Sequence, residues 1–210
     1  MLGILLLGAA ALIRRRVDDW GDGWVWPVPG LRTYDGALYD AVISDGVGTE
    51  RPNGGQHRGV DIMFRRRNER DRGEYKAGTS DGSRMFFAPP LTPILAARDG
   101  RVWSSSKTAR GWSIVLDHGK PWATYYTHLA GSPLGQFRDG VSAAGKVVHV
   151  KAGDIIGWMS FDPMDGARLR HLHFATWHGG GEANAIDPAD AMRTWARVPW
   201  RMEPAAPKVS

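Results

Sequence analysis

Cysteine is absent from this 210-residue chain. That excludes disulfides, thiolate nucleophiles, cysteine-ligated zinc and iron–sulfur clusters, so any metal must be held by histidine, aspartate or glutamate. The absence leaves the cellular compartment open. Long apolar runs are scarce as well. The one present, residues 1–13 (MLGILLLGAAALI), falls short of the roughly 20 residues a helix needs to cross a bilayer. Positive charge follows it at Arg14, Arg15 and Arg16 instead of preceding it as in a secretory signal, although Ala9-Ala10-Ala11 offers a cleavage-like site. Charges on that side of a span would hold the rest of the chain in the cytoplasm. A strong charge bias is also missing: Lys+Arg 27 against Asp+Glu 22 leaves +5, which suits a polyanionic partner without selecting one. No His-Glu-x-x-His occurs, so a helical zinc site with a glutamate base is excluded.

What is present describes one turn-rich globular domain. The chain is 42% apolar and 23% charged, with Gly 27, Pro 13 and Trp 10, a composition that excludes disordered and fibrous architectures. Residues 20–29 (WGDGWVWPVP) alternate aromatics with Gly and Pro, as in an irregular lead-in laid across a core. Short apolar stretches divided by turn signals follow at 94–97, 101–104, 112–117, 123–129, 147–150, 154–159 and 171–177, and read as successive antiparallel strands. Helical periodicity is scarce until 188–197. The expected fold is therefore mainly β: an antiparallel sheet or sandwich core with few short helices. Segment 1–19 is an apolar and basic N-terminal piece, 20–198 a single domain, and 199–210 a C-terminal tail. A charged insertion loop spans about 64–88, rich in Arg65, Arg66, Arg67, Arg70, Arg72 and Lys76. It reads as a solvated excursion or as a wall beside a groove.

Four of the seven histidines fall into an ordered set: His57 with Asp61, then His128, then His171 with His173. In a strand, residues two apart project to one face roughly 6 to 7 Å from each other. His171 and His173 therefore share a side, where one can bind a metal while the other faces substrate. His57 and Asp61 flank Gly59, which permits close backbone approach. Two imidazoles and one carboxylate would hold zinc while leaving a fourth position open for water, as catalytic sites require. Water on such an ion ionises near neutral pH, and amide hydrolysis is its natural chemistry. His118 reads as a hairpin-turn residue, and His149 and His178 have no partner at ligand spacing. Trp103, Trp112, Trp122, Trp158 and Trp177 read as core or rim packing, with one or two available to line a groove. Tyr126 shares a face with His128 if the strand alternates regularly.

These elements resemble the lysostaphin and LytM type of zinc endopeptidases, which cut peptidoglycan cross-bridges or stem peptides. The family's His-x-Gly-x-Asp element stands here as His57-Arg58-Gly59-Val60-Asp61, and its His-Leu-His-Phe element as His171-Leu172-His173-Phe174. Between them Thr124-Tyr125-Tyr126-Thr127-His128-Leu129 and Gly153-Asp154-Ile155-Ile156-Gly157 keep the family's order, and Ile186-Asp187-Pro188 resembles its closing segment. The resemblance implies that His57, Asp61 and His173 bind one Zn²⁺ in a groove. It implies that His128 and His171 are catalytic, as general base and oxyanion donors, without assigning which is the base. Residues 20–198 then form one peptidase domain.

Two departures stand out. Trp158-Met159-Ser160 follows Gly157 where the family has Gly-x-Thr-Gly, and the connection 161–170 carries Asp162, Asp165, Arg168 and Arg170. Ala175 replaces a common Glu, so any part that carboxylate plays in orienting the site is absent or supplied elsewhere. The expected partners are peptidoglycan peptides. The expected location is the bacterial envelope, periplasm or cell surface, or a phage virion or lysis enzyme, with residues 1–16 available for membrane or virion association. The alternative within the same fold is a zinc-retaining module that binds wall or activates a hydrolase without cleaving. A nucleic-acid-binding β domain using the +5 charge and the tryptophans would leave the histidine order unexplained, so nucleic acid is not expected as a partner.

Overall fold

Alternation of apolar and polar side chains sets this architecture, because each strand that hides one face must find a sheet to hide it in. The computed structural model describes residues 20–32, 36–51, 54–68, 85–164 and 169–201. Most of the charged 64–88 loop and all of segment 1–19 lie outside the described residues. Among the described residues the strands are β1 (Gly30–Arg32), β2 (Leu38–Tyr39), β3 (Ala41–Asp45), β4 (Val60–Arg65), β5 (Phe86–Phe87), β6 (Pro93–Leu95), β7 (Gly100–Thr108) and β8 (Gly111–Asp117). They continue with β9 (Trp122–Gly131), β10 (Phe137–Arg138), β11 (Val141–Ser142), β12 (His149–Val150), β13 (Ile155–Phe161), β14 (Arg170–His178), β15 (Ala185–Ile186) and β16 (Pro199–Arg201). The fold is mainly β, with antiparallel pairing throughout the large sheet, whose order runs β11-β10-β7-β8-β9-β13-β14-β4-β3.

The period-2 pattern appears directly in burial. Leu172, Phe174 and Thr176 of β14 are fully buried, as are Val60, Ile62 and Phe64 of β4 and Ile114 and Leu116 of β8. Each large apolar side chain hidden this way contributes roughly 1.5–3 kcal/mol. The opposite face of β14 carries His171 and His173, only partly buried. The hydrophobic stretches of the sequence therefore build the floor, and the polar positions between them stand on it.

Differences from the sequence expectation lie at the ends. Segment 20–29 does lie across the core: Trp24 stacks on Trp195 (ring centroids 4.7 Å) and Trp20 on Trp122 (4.3 Å). The tail expected from 199 instead opens with β16, which pairs in parallel with β1, Gly30 opposite Pro199. With β2 these strands form a separate three-stranded sheet. Short polar termini gave no periodicity from which a two-ended pairing could be read. The helical stretch expected at 188–197 is reduced to a single 3₁₀ turn, Ala191–Arg193, pinned because Trp26 Nε1 donates to the Met192 carbonyl (2.7 Å). No helix among the described residues is long and apolar enough to cross a membrane.

Candidate active site

Three strands meet where the candidate residues gather. β9 pairs with β14 from Trp122 to Thr127, then leaves it and pairs with β13 through Leu129 and Gly131. At that departure β9 advances three residues, Tyr126 to Leu129, while β8 advances two, Ile114 to Trp112. His128 sits in this bulge with φ 64°, a backbone state that re-aims a side chain off the regular alternation. Tyr126 is thereby separated from His128. It points into the core, fully buried, where its hydroxyl accepts the Ala97 N–H (2.8 Å) and bonds Thr124 Oγ1 (3.1 Å). Tyr125 takes the site face instead, its ring 6.2 Å from His173 and stacked on Trp177 at 5.5 Å.

Register between β4 and β14 sets Asp61 directly opposite His173. His57 approaches from the loop before β4. Gly59 permits that approach: a Cβ there would stand 2.6 Å from the Phe174 carbonyl oxygen and 2.8 Å from His173 Nε2. Only a residue without a side chain lets the His57 loop lie flat against β14.

The five candidate residues come together. His57 Nε2 lies 2.8 Å from His173 Nδ1, and Asp61 Oδ1 lies 3.1 Å from each of these nitrogens. Donors around a tetrahedral ion with bonds of about 2.0–2.1 Å sit about 3.3 Å apart, so this triangle of two imidazoles and one carboxylate fits a zinc ion. It is the one such cluster of His, Asp or Glu donors among the described residues. Beside it, His171 Nε2 is 3.9 Å from Asp61 Oδ1, and the His128 and His171 rings are 4.6 Å apart.

Main-chain carbonyls select the tautomers. A carbonyl can only accept, so His57 Nδ1–H donates to Gly46 (2.9 Å), His128 Nδ1–H to Arg110 (3.0 Å) and His171 Nδ1–H to Leu169 (2.8 Å). Each neutral ring then turns an unprotonated Nε2 toward the site. Burial, helped by the neighbouring His171, holds His128 well below the ordinary histidine range, and burial also lowers His173 against the opposing pull of Asp61. Burial by itself would raise the Asp61 carboxyl. The His173 and His57 side chains against the carboxylate, with His171 nearby, outweigh it and keep that group far below the usual carboxylate range. The electrostatics thus favour neutral His128 and His173 beside an ionised Asp61, the protonation states a cation needs of its donors.

Four residues of this neighbourhood carried no recognisable sequence signal. Arg51 Nη2 donates to Asp61 Oδ2 (3.1 Å), leaving Oδ1 for the imidazole side, and Arg51 Nη1 is held by Asp45 Oδ2 (3.0 Å). The carboxylate is thereby oriented from behind. Asp162, noticed in sequence only as part of a charged connection, is buried, with Oδ2 3.9 Å from His128 Nε2 and 2.6 Å from Arg110 Nη1. Loop positions without periodicity could not have announced these contacts. His118 lies away from the cluster in a turn, bonded to the Asp99 carbonyl (2.8 Å) and Thr124 Oγ1 (2.7 Å), while the His178 ring packs 4.9 Å from Trp122 and His149 is exposed.

The model of Peptidase family M23 matches residues 80–188. That range contains His128, His171 and His173; β4 brings Asp61 to them from outside it, and the loop before β4 brings His57. No curated protein matches the chain. Among solved structures, the antimicrobial peptidase lysostaphin from Staphylococcus simulans is similar at 21% identity and TM-score 0.50, over 82% of this chain and 55% of that one. A zinc containing peptidase from Vibrio cholerae is similar at 20% identity and TM-score 0.50, over 85% and 41%. A chain of the SpoIIQ-SpoIIIAH pore forming complex is similar at 15% identity and TM-score 0.53, over 81% and 90%. The protein thus spans about half the length of the first two, and at these identities the likeness is one of fold.

Proposed function

The chain belongs to peptidase family M23, and from that premise we propose that it is a zinc-dependent endopeptidase hydrolysing peptide bonds of bacterial cell-wall peptidoglycan, in the cross-bridge or the stem peptide. The observation that carries this reading is the convergence of His57 Nε2, Asp61 Oδ1 and His173 Nδ1 at 2.8 to 3.1 Å, with two further imidazoles beside them. These three atoms would hold the ion, which when bound supplies a Lewis acid for the scissile carbonyl and lowers the pKa of water.

The other steps fall to the chain. His128 and His171, each with its Nδ1–H tied to a carbonyl, present a basic Nε2 to the reacting centre. One takes the proton of the attacking water on its Nε2, and the protonated ring then donates to the leaving amine; its partner stabilises the developing oxyanion when its own Nε2 carries a proton to donate. Partial exposure of the His173 and His171 side chains, 17% and 12%, leaves one side of the cluster open to a peptide. The envelope, or a phage particle or lysis enzyme, is where this activity meets its substrate, with residues 1–16 as the segment for membrane or virion association.

Metal analysis combined with release of soluble peptides from purified cell wall tests the proposal. Wild type should carry one zinc per chain and release peptides, and His128→Ala should keep the zinc and release almost none. Zinc binding without any peptide release by wild type would instead favour a wall-binding or hydrolase-activating module on the same fold.

A further inference from the structure

The site carries a charged pair that the hydrolytic chemistry does not use. Arg110 ends the turn between β7 and β8, and its carbonyl accepts from His128 Nδ1 (3.0 Å), which fixes its backbone against that imidazole. Its guanidinium Nη1 donates to Asp162 Oδ2 (2.6 Å), and the same oxygen lies 3.9 Å from His128 Nε2. The guanidinium and the basic nitrogen are thus neighbours across a single atom. Asp162 Oδ1 in turn accepts the Met164 N–H (2.8 Å). The two partners are unequally enclosed: 7% of the Asp162 side chain is exposed, against 54% for Arg110.

We propose that this pair reads a carboxylate, so that the preferred substrate is a peptide with a free carboxylate within one residue of the scissile bond; the inference rests on the hydrolase reading above. A buried carboxylate gripping one nitrogen orients the planar fork. The backbone N–H of Arg110 is taken by Thr108 Oγ1 (3.1 Å), and of its guanidinium only Nη1 meets an acceptor among the described residues, so the remaining guanidinium N–H groups are left to bind a carboxylate through two parallel hydrogen bonds. Charge explains why the arginine matters. Asp162 alone would repel an anionic substrate beside His128, and Arg110 both cancels that charge and offers the attractive edge. The α-carboxylate of a residue following the cleaved bond, or a side-chain carboxylate at that bond, lies the few atoms away that this spacing demands.

The test compares muropeptides released from purified cell wall with the same muropeptides after their carboxylates are converted to carboxamides by carbodiimide and ammonia. Cleavage by zinc-loaded wild type, Arg110→Gln and Arg110→Lys is followed by mass spectrometry, and the ratio of kcat/KM for the two substrates is read. Wild type should favour the native peptides about ten-fold or more, the size of one charge-assisted hydrogen bond. Arg110→Gln should bring the ratio to about one, and Arg110→Lys should fall between, since it restores charge without the fork. A wild-type ratio near one, or a ratio that survives in Arg110→Gln folded and zinc-loaded like wild type, overturns the subsite and leaves the hydrolase intact. No cleavage of either peptide by wild type overturns the hydrolase reading and the subsite together.

Discussion

Replacing Gly59 by alanine probes the site while leaving every candidate ligand unsubstituted. The new Cβ would stand 2.6 Å from the Phe174 carbonyl oxygen, 2.8 Å from His173 Nε2 and 2.9 Å from His173 Cε1. Carbon–oxygen contact ordinarily begins at about 3.4 Å, so the backbone must open by about 0.8 Å or the imidazole must swing away. Neither relaxes freely, because Phe174 is paired on both sides, with Val60 and with Tyr126. Gly59 does not occupy the left-handed region, so the cost is steric and not one of backbone strain. Overpacking of this kind costs about 1–3 kcal/mol, which for a domain of this size lowers Tm by roughly 2–4 °C per kcal/mol. Displacing His173 from Asp61 should also weaken zinc binding about 10–100-fold. Calorimetry of the metal-free protein reads the first effect, and competition with a chromophoric chelator reads the second. Gly131→Ala is the control: nothing lies within 4 Å of its added Cβ, so Tm should move by no more than about 2 °C. Wild-type stability and zinc affinity in Gly59→Ala would refute the close packing of the His57 loop on β14.

Other expectations follow from the same geometry. Burial pushes the His118 imidazole down to about 4 from 6.5. Between those pH values the unfolded chain binds a proton that the folded chain refuses, so stability is full above about pH 6.5 and falls toward pH 4, by up to about 3 kcal/mol. Urea unfolding at pH 7 and pH 4.5 should show a flatter pH dependence in His118→Gln, and equal slopes would count against the assignment. His128→Ala and His171→Ala should each keep stoichiometric zinc while losing about 10²–10⁴ in kcat/KM; loss of the metal instead would move that residue into the ligand set. Asp61→Asn should weaken zinc by about 100-fold and Arg51→Ala by about 10-fold, measured by chelator competition, because the first removes an anionic donor and the second only its orienting partner. Equal losses in the two would show that Arg51 does more than hold the outer oxygen.

Local pattern determined much of this protein. Seven strand positions were legible because burying one face of an antiparallel strand imposes a two-residue period, and the stretch 171–177 carried that period through Leu172, Phe174 and Thr176. The same rule put His171 and His173 on one face, and Gly59 announced a close approach because only glycine survives it. The rule failed where the backbone left it. At His128 the chain passes from one neighbouring strand to another, and a bulge with positive φ exchanges the expected Tyr126 for Tyr125 on the site face. The rest depended on residues distant in sequence. Arg51 behind Asp61, Asp162 beside His128 and the parallel pairing of β1 with β16 join loops or ends whose composition encodes no partner. A periodic side-chain pattern responds to the nearest sheet face and so is written into the sequence, whereas an ion pair between loops exists only after the whole sheet has closed and set their distance.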